Sequence, residues 1–309
     1  MARNLSNVPA SVHDRLLNQA RNTGRPFNEL LQYYGIERFL YRLAQTEHAQ
    51  HFILKGALLL QTVGSAETRP TRDIDFLGQG PPTEGRLRNI VHEAMEADVP
   101  EDGMTYDADT LESMGIAEAA EYNGVRLTFR GFLGTARVPM QIDIGFGDPV
   151  VPGPRRITYP QLLDYGSPRL LGYTLESVVA EKYQAMVNLE LANTRMKDFC
   201  DVWMLIQRHS FQEPTLAEAI AATFERRKTP IPDERPPALT EAFFHNDQKR
   251  RQWRAFLRNI RTDTPPALPE VISDIAEFLQ RPSHAARHQN RPGDEVTADA
   301  SWPPGGPWS

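Results

Sequence analysis

The stretch Phe52–Leu77 restricts the possible folds of this chain more than any other. An apolar run, Phe52-Ile53-Leu54, meets Lys55-Gly56-Ala57 and continues into a second apolar run, Leu58–Val63. That spacing predicts a strand that turns tightly at Gly56 and leaves as a helix. A second strand is predicted at Thr71-Arg72-Asp73-Ile74-Asp75-Phe76-Leu77. Side chains two apart on a strand share a face. Asp73 and Asp75 are therefore expected side by side, with Thr71 and Arg69 extending the row and with Ile74 and Phe76 turned to the core. Two adjacent carboxylates repel at neutral pH unless a cation lies between them. Their hard oxygens suit magnesium held together with substrate phosphates. The glycine turn adds backbone N–H groups at a helix start, which favour an anion. Metal-binding carboxylates beside a phosphate-binding turn point to nucleotide chemistry.

Composition narrows the setting. With 309 residues, 40% of them hydrophobic, the chain can bury a real core in one large domain or two small ones. A single cysteine, Cys200, rules out an intramolecular disulfide and suits a reducing compartment. No signal peptide and no membrane-spanning run are read, so a cytoplasmic protein without membrane contact is expected. A formal charge of −6 argues against a nucleic-acid coat but leaves room for a local basic patch.

Along the chain, Pro9–Asn22 and Phe27–Gln45 have amphipathic helix patterns and are expected to cover the sheet. A helix over Glu84–Ala97 follows the second strand. Asp98–Glu121 predicts one strand near Met104–Ala108 and a loop around Met114–Glu121. Val125–Arg130 and Val138–Phe146 read as a hairpin joined by Gly131–Ala136. On its second strand Ile142 and Ile144 face inward, so Asp143 faces the other way. Pro152–Pro168 is a proline-punctuated connector and marks a domain boundary. Helices are then predicted over Thr174–Leu191, Thr194–Arg208, Phe211–Arg227, Leu239–Ile260 and Pro269–Leu279. Thr174 is the N-cap of the first of these, with Ser177 where a capping box would take Glu. Lys182 lies in the middle of that helix. Asp198 and Asp201 share a face of the next one, where Arg195 and Lys197 can pair with them.

The helix over Leu239–Ile260 is basic towards its end, with Lys249, Arg250, Arg251, Arg254 and Arg258 followed by Arg261, and with Trp253 and Phe256 interleaved. Such a helix can bind RNA through phosphates and stacking. It can equally pack Trp253, Phe256 and Leu257 inward with its arginines in solvent. Pro282–Ser309 offers little to pack and is expected to be disordered. No internal repeat is visible, and GxxxxGK[ST], HExxH and GxSxG motifs are absent.

The order of glycine turn, helix and D-x-D strand resembles the nucleotidyltransferase superfamily that includes DNA polymerase β. Its signature is a Gly-Gly or Gly-Ser turn before such an acidic pair, and Ala57 stands where the second residue of that turn would be. Within the superfamily, Lys55-Gly56-Ala57 with Arg69-Pro-Thr-Arg-Asp-Ile-Asp-Phe76 resembles the AbiEii/AbiGii toxin family, to which the MenT toxins belong. Ala180-Glu181-Lys182-Tyr-Gln-Ala185 is similar to the family's A-E-K-x-x-A motif, and Arg195-Met-Lys-Asp198-Phe-Cys-Asp201 to its R-x-K-D-x-x-D segment.

The resemblance implies an α+β fold: a polymerase-β-like domain of mixed sheet and flanking helices over 51–152, then a helical domain over 153–281. Residues 1–50 would pack on the sheet domain, residues 282–309 would form the tail, and the active site would lie in a cleft between the domains. It further implies nucleotidyl transfer from an NTP to an acceptor hydroxyl by the toxin of a toxin–antitoxin or phage-defence pair, with Mg2+ or Mn2+ held by Asp73, Asp75 and Asp143. Lys182 would face the triphosphate. Lys55, Gly56, Ala57, Thr71, Arg72, Asp198 and Asp201 would line the nucleotide site. The implied partners are a cognate antitoxin and an acceptor, the tRNA 3′ end in MenT-like members; the alternatives are a protein or small-molecule acceptor, or a catalytically inactive binding module of the same fold.

Overall fold

Seven strands build one mixed sheet in the computed structural model, which describes residues 7–64, 71–118, 122–258, 260, 266–288 and 301–302. The chain divides into two units. The first comprises 1–63, 70–147 and 155–172, and the second 64–69, 148–154 and 173–309.

In the first unit, helices α1 (Val8–Thr23) and α2 (Phe27–Leu43) precede strand β1 (Phe52–Lys55). Helix α3 (Gly56–Thr62), strand β2 (Asp73–Gly78) and helix α4 (Glu84–Met95) follow. Strands β3 (Met104–Glu118), β4 (Tyr122–Leu133) and β5 (Ala136–Phe146) form a meander, and β6 (Arg155–Thr158) and β7 (Arg169–Gly172) close the unit. The sheet order is β3-β4-β5-β2-β1-β7-β6. β2 runs parallel to β5 and antiparallel to β1, and β1 runs parallel to β7.

Alternation sorts the two faces of this sheet. Ile74, Phe76, Leu127, Phe129, Met140, Ile142 and Ile144 are buried, whereas Asp73, Asp75, Gln141 and Asp143 are half-buried on the opposite face. Helix α2 covers the apolar face. It comes so close at Gly35 that an added Cβ would stand 2.7 Å from Val138 Cγ1, so no larger residue fits without displacing β5. This helix is more than an apolar cover, because Glu37, Arg38 and Arg42 are all buried. Arg42 grips Asp102 with two hydrogen bonds, at 2.6 and 3.0 Å. Arg38 donates to the carbonyls of Tyr165 and Gly166, and Glu37 accepts from Leu162 N. Burial pushes the Glu37 carboxyl up to about 7, against the pull of Arg38. The proline-rich connector is thus pinned to α2 by buried polar groups.

The structure corrects two expectations here. β3 runs on to Glu118 where a loop was read, because an irregularity between Asp107 and Glu112 breaks the period of two and hides the strand. The connector Pro152–Pro168 holds β6, and β7 begins at its end. Each has only four residues, too few for periodicity to register, and pairing makes them strands: β7 lies parallel to β1, and β6 lies antiparallel to β7.

The second unit is mainly helical: α5 (Leu175–Leu189), α6 (Met196–Arg208), the short strand β8 (Phe211–Gln212), α7 (Glu213–Arg226), α8 (Glu241–Phe244), α9 (Asp247–Leu257) and α10 (Leu268–His288). β8 pairs with β9 (Ser301–Trp302). Thr174 caps α5 by accepting from Ser177 N, and Ser177 Oγ accepts from Val151 N, which accounts for a serine where a capping box would have Glu. Tyr183, Phe224, Phe199, Phe243, Phe211 and Phe278 supply the aromatic core, in pairs about 5 Å apart.

Two further corrections concern its C-terminal half. The single helix expected over Leu239–Ile260 is broken at Asn246, whose side chain caps α9 by accepting from Gln248 N and Lys249 N. Helix α10 does not stop at Leu279. It passes through Pro282 to His288, with Pro282, Ser283 and Ala286 buried and Ser283 Oγ donating to Tyr183 OH at 3.0 Å. The disordered tail expected from Pro282 therefore has a packed beginning, while 289–300 and 303–309 lie outside the described residues. Deleting 282–309 is expected to cost on the order of 2 kcal/mol through lost burial and the lost Tyr183 bond. An unchanged urea midpoint for the truncated chain would contradict this packing.

Candidate active site

Strand register assembles the acidic group in the first unit. Asp75 lies opposite Asp143 across the parallel β2–β5 pair, and opposite Lys55 across β1–β2. Asp143 in turn lies opposite Arg126 of β4. Directly opposed residues share a face, so Arg126, Asp143, Asp75 and Lys55 form one row across four strands. Asp73 and Gln141 stand two positions along, on the same face. Carboxylates therefore occupy the centre of the row and cations its two ends. Thr71 and Arg72 lead into β2, with Thr71 N donating to Tyr33 OH, while Arg69 lies outside the described residues.

Gly56 is tied to this row by two separate requirements. Its φ is +68°, a conformation side-chain-bearing residues seldom adopt, and an added Cβ would fall on the Asp75 carboxylate, with Cγ at 2.8 Å. The backbone turn and the carboxylate are thus in close contact. Ala57 is buried behind it, and α3 has only seven residues, so the turn itself rather than a long helix dipole is what this segment offers an anion. Gly56→Ala is expected to cost about 3 kcal/mol, the backbone penalty plus the clash. Gly24→Ala is the control, with φ +70° and open space around it. It should cost only about 1 kcal/mol, and equal losses for the two in chemical denaturation would refute the close approach.

Sequence reasoning missed Arg126. Its Nε donates to Asp143 Oδ1 and its Nη2 to Oδ2, both at 2.7 Å. The hydrogen bonds it donates to Asp143 hold its guanidinium pKa above the usual arginine value, with the charges of Asp143, Asp73 and Asp75 adding to the effect. The signal was present in the hairpin: counting back symmetrically from Leu133 and Ala136, which flank its turn, leads to Arg126 and Asp143.

The second unit gathers Lys182, Asp198 and Asp201. Lys182 Nζ donates to Asp198 Oδ1 at 2.7 Å and to Asp201 Oδ2 at 2.8 Å, and Arg195 Nε lies 2.5 Å from Asp198 Oδ2. The Lys182 side chain is 15% exposed and that of Asp198 only 1%. Burial alone would lower the Lys182 pKa, but the two carboxylates outweigh it and the net shift is upward. Asp198 is held below the usual carboxylate range by Lys182 and Arg195, despite its burial. Lys182 is thus a half-buried, doubly paired cation, not a solvated helix residue. Lys249 differs from expectation too. It is buried, with Nζ donating to Asn193 O at 2.7 Å, while Arg250, Arg251, Arg254 and Arg258 remain exposed and Trp253 packs inward. Arg261 lies outside the described residues.

No group of three His, Cys, Asp or Glu side chains is gathered tightly enough among the described residues to form a metal cage. The donor chemistry of the sheet row nevertheless fits a hard divalent cation. Asp73, Asp75 and Asp143 present carboxylates on one face, two of them directly opposed. No helix among the described residues is long and apolar enough to cross a membrane.

A glycine turn pressed against an acidic strand pair, on a mixed sheet, with a helical unit following in the chain, defines a nucleotidyltransferase-type protein. The family model for the nucleotidyl transferase AbiEii toxin, of type IV toxin–antitoxin systems, matches residues 38–281, and the chain belongs to that family. No curated protein shows significant similarity to it. Among solved structures, a candidate nucleotidyltransferase from Helicobacter pylori is similar at 15% identity and a TM-score of 0.42, covering 84% of this chain and 92% of that one. JHP933 from the same organism is similar at 16% identity and a TM-score of 0.42, covering 84% and 90%.

Proposed function

We propose that this chain transfers a nucleotidyl group from an NTP to a terminal hydroxyl of RNA, with tRNA as the acceptor, and that a cognate antitoxin opposes it. The observation that carries this reading is the row Arg126–Asp143–Asp75–Lys55, with Asp73 beside it and the Gly56 turn against Asp75. Asp73, Asp75 and Asp143 would hold Mg2+ or Mn2+. The bound metal would supply Lewis-acid neutralisation of the phosphates and a lowered pKa for the acceptor hydroxyl. Lys55 stands at the β1 end of the row, where its ammonium can accompany the charge that moves onto the departing pyrophosphate. The close approach at Gly56 lets backbone N–H groups reach a phosphate without a side chain in the way. An RNA acceptor is favoured by the exposed arginines Arg250, Arg251 and Arg254 of α9 and Arg258 at its C-cap, in a chain of net negative charge.

The test incubates the purified chain with each α-labelled NTP in turn, Mg2+, and either total tRNA or RNA-free cell protein. Label is expected on the RNA 3′ end and should be lost in EDTA. Label on protein alone would reassign the acceptor, and no label with any NTP would remove the reading.

A further inference from the structure

Arg126 has no role in the chemistry proposed above, yet it holds Asp143 of the acidic row through both ends of its guanidinium fork. Its two donors meet both oxygens of Asp143 at 2.7 Å, and Gln141 Nε2 approaches one of the same oxygens at 3.2 Å. The Arg126 side chain is 36% exposed and that of Asp143 21%, so the pair is not locked in a core and can change partners. A divalent cation that takes Asp143 as a ligand needs an oxygen that Arg126 holds. Two cations on one carboxylate repel each other, so the two modes of binding compete. A guanidinium fork fits the oxygens of a phosphate as well as it fits a carboxylate.

We propose that Arg126 and the divalent cation exchange on Asp143: metal binding releases the guanidinium, which then takes the phosphates of the incoming nucleotide. This rests on the metal-site reading of Asp73, Asp75 and Asp143. A plain cross-strand ion pair would stabilise the sheet without lending its guanidinium to a phosphate.

Calorimetric titration of Mn2+ into the full chain, with no nucleotide present, reads the exchange directly. Wild type, Arg126→Ala, Arg126→Lys and Asp75→Asn would be compared, each checked by circular dichroism. Arg126→Ala is expected to bind Mn2+ about tenfold tighter, because the competitor is gone. Arg126→Lys keeps the charge and loses the fork, and is expected to tighten about threefold. At saturating Mn2+, a non-hydrolysable NTP analogue should bind both variants about tenfold more weakly. Unchanged Mn2+ affinity in Arg126→Ala would overturn the exchange. So would tightening in Arg126→Ala with none in Arg126→Lys, since that pattern reports charge at a distance. Unchanged analogue affinity would overturn the handover to phosphate. Should Arg126→Ala fail to fold, Arg126→Lys decides the matter alone. If Mn2+ binds Asp75→Asn as well as wild type, or binds neither, the metal-site reading fails and the exchange falls with it.

Discussion

Asp75→Asn is expected to abolish nucleotidyl transfer and leave the fold standing. Asp75 sits at the middle of the polar face, opposite Lys55 on one side and Asp143 on the other, and it is not among the core residues. The amide is nearly isosteric, so the close approach to Gly56 is kept. Removing one of three neighbouring negative charges relieves their mutual repulsion, and this offsets what Asp75 contributes with Lys55. The melting temperature should therefore move by no more than about 2 °C, as for most changes outside a core. Activity should fall by at least 100- to 1000-fold, the typical cost of losing one electrostatic contact to the reacting charges. Melts and labelled-NTP transfer would be run side by side on Asp75→Asn and Asp73→Asn. Wild-type transfer by a well-folded Asp75→Asn would take the acidic row out of the chemistry.

Lys182→Ala should behave in the opposite way and strongly destabilise the helical unit. For a solvated helix lysine, alanine would be nearly silent, and the sequence alone left that outcome open. The structure instead places Nζ between Asp198 and Asp201, with all three side chains buried or nearly so. Taking the cation away leaves two carboxylates facing each other out of water. Breaking a buried pair in this way typically costs about 3–5 kcal/mol.

The pH dependence gives a second check. The folded-state pKa of Asp198 is lowered, so the stability it contributes is present above its unfolded value, about 3.9, and is lost as pH falls through the folded one. Without Lys182 that depression shrinks, and the gap between variant and wild type should narrow towards acid pH. Lys182→Arg keeps the charge and should fold, so it is the variant in which nucleotide affinity can be measured. A Lys182→Ala melt that matches wild type at pH 7 would disprove the buried network.

Local pattern made the acidic strand and its flanking turn legible. Period-two alternation at Asp73–Phe76 and at Met140–Ile144 separates core from polar face without reference to any other strand. A glycine between two apolar runs announces the break at Gly56. Helices α1, α2, α4, α5 and α6 were readable for the same reason, each carrying an apolar stripe bounded by residues that end helices.

What the sequence could not determine was which residues meet across long separations. Arg126 pairs with Asp143 only because the hairpin closes at Leu133 and Ala136, and Asp75 stands beside Asp143 only because β2 and β5 are neighbours. Pairing with β1 is also what makes β7 a strand, and Tyr183 and Asp233 hold the far end of α10 past a proline that pattern reads as a stop. Lys182 and Lys249 look alike as helix lysines in the sequence. Their burial depends on Asp198, Asp201 and Asn193, which come from other segments. The alternating and helical periods record how each segment meets water locally, so they can be read one stretch at a time. Charge pairing depends on distances of a few ångströms between groups far apart in the chain, and only the folded structure sets those distances.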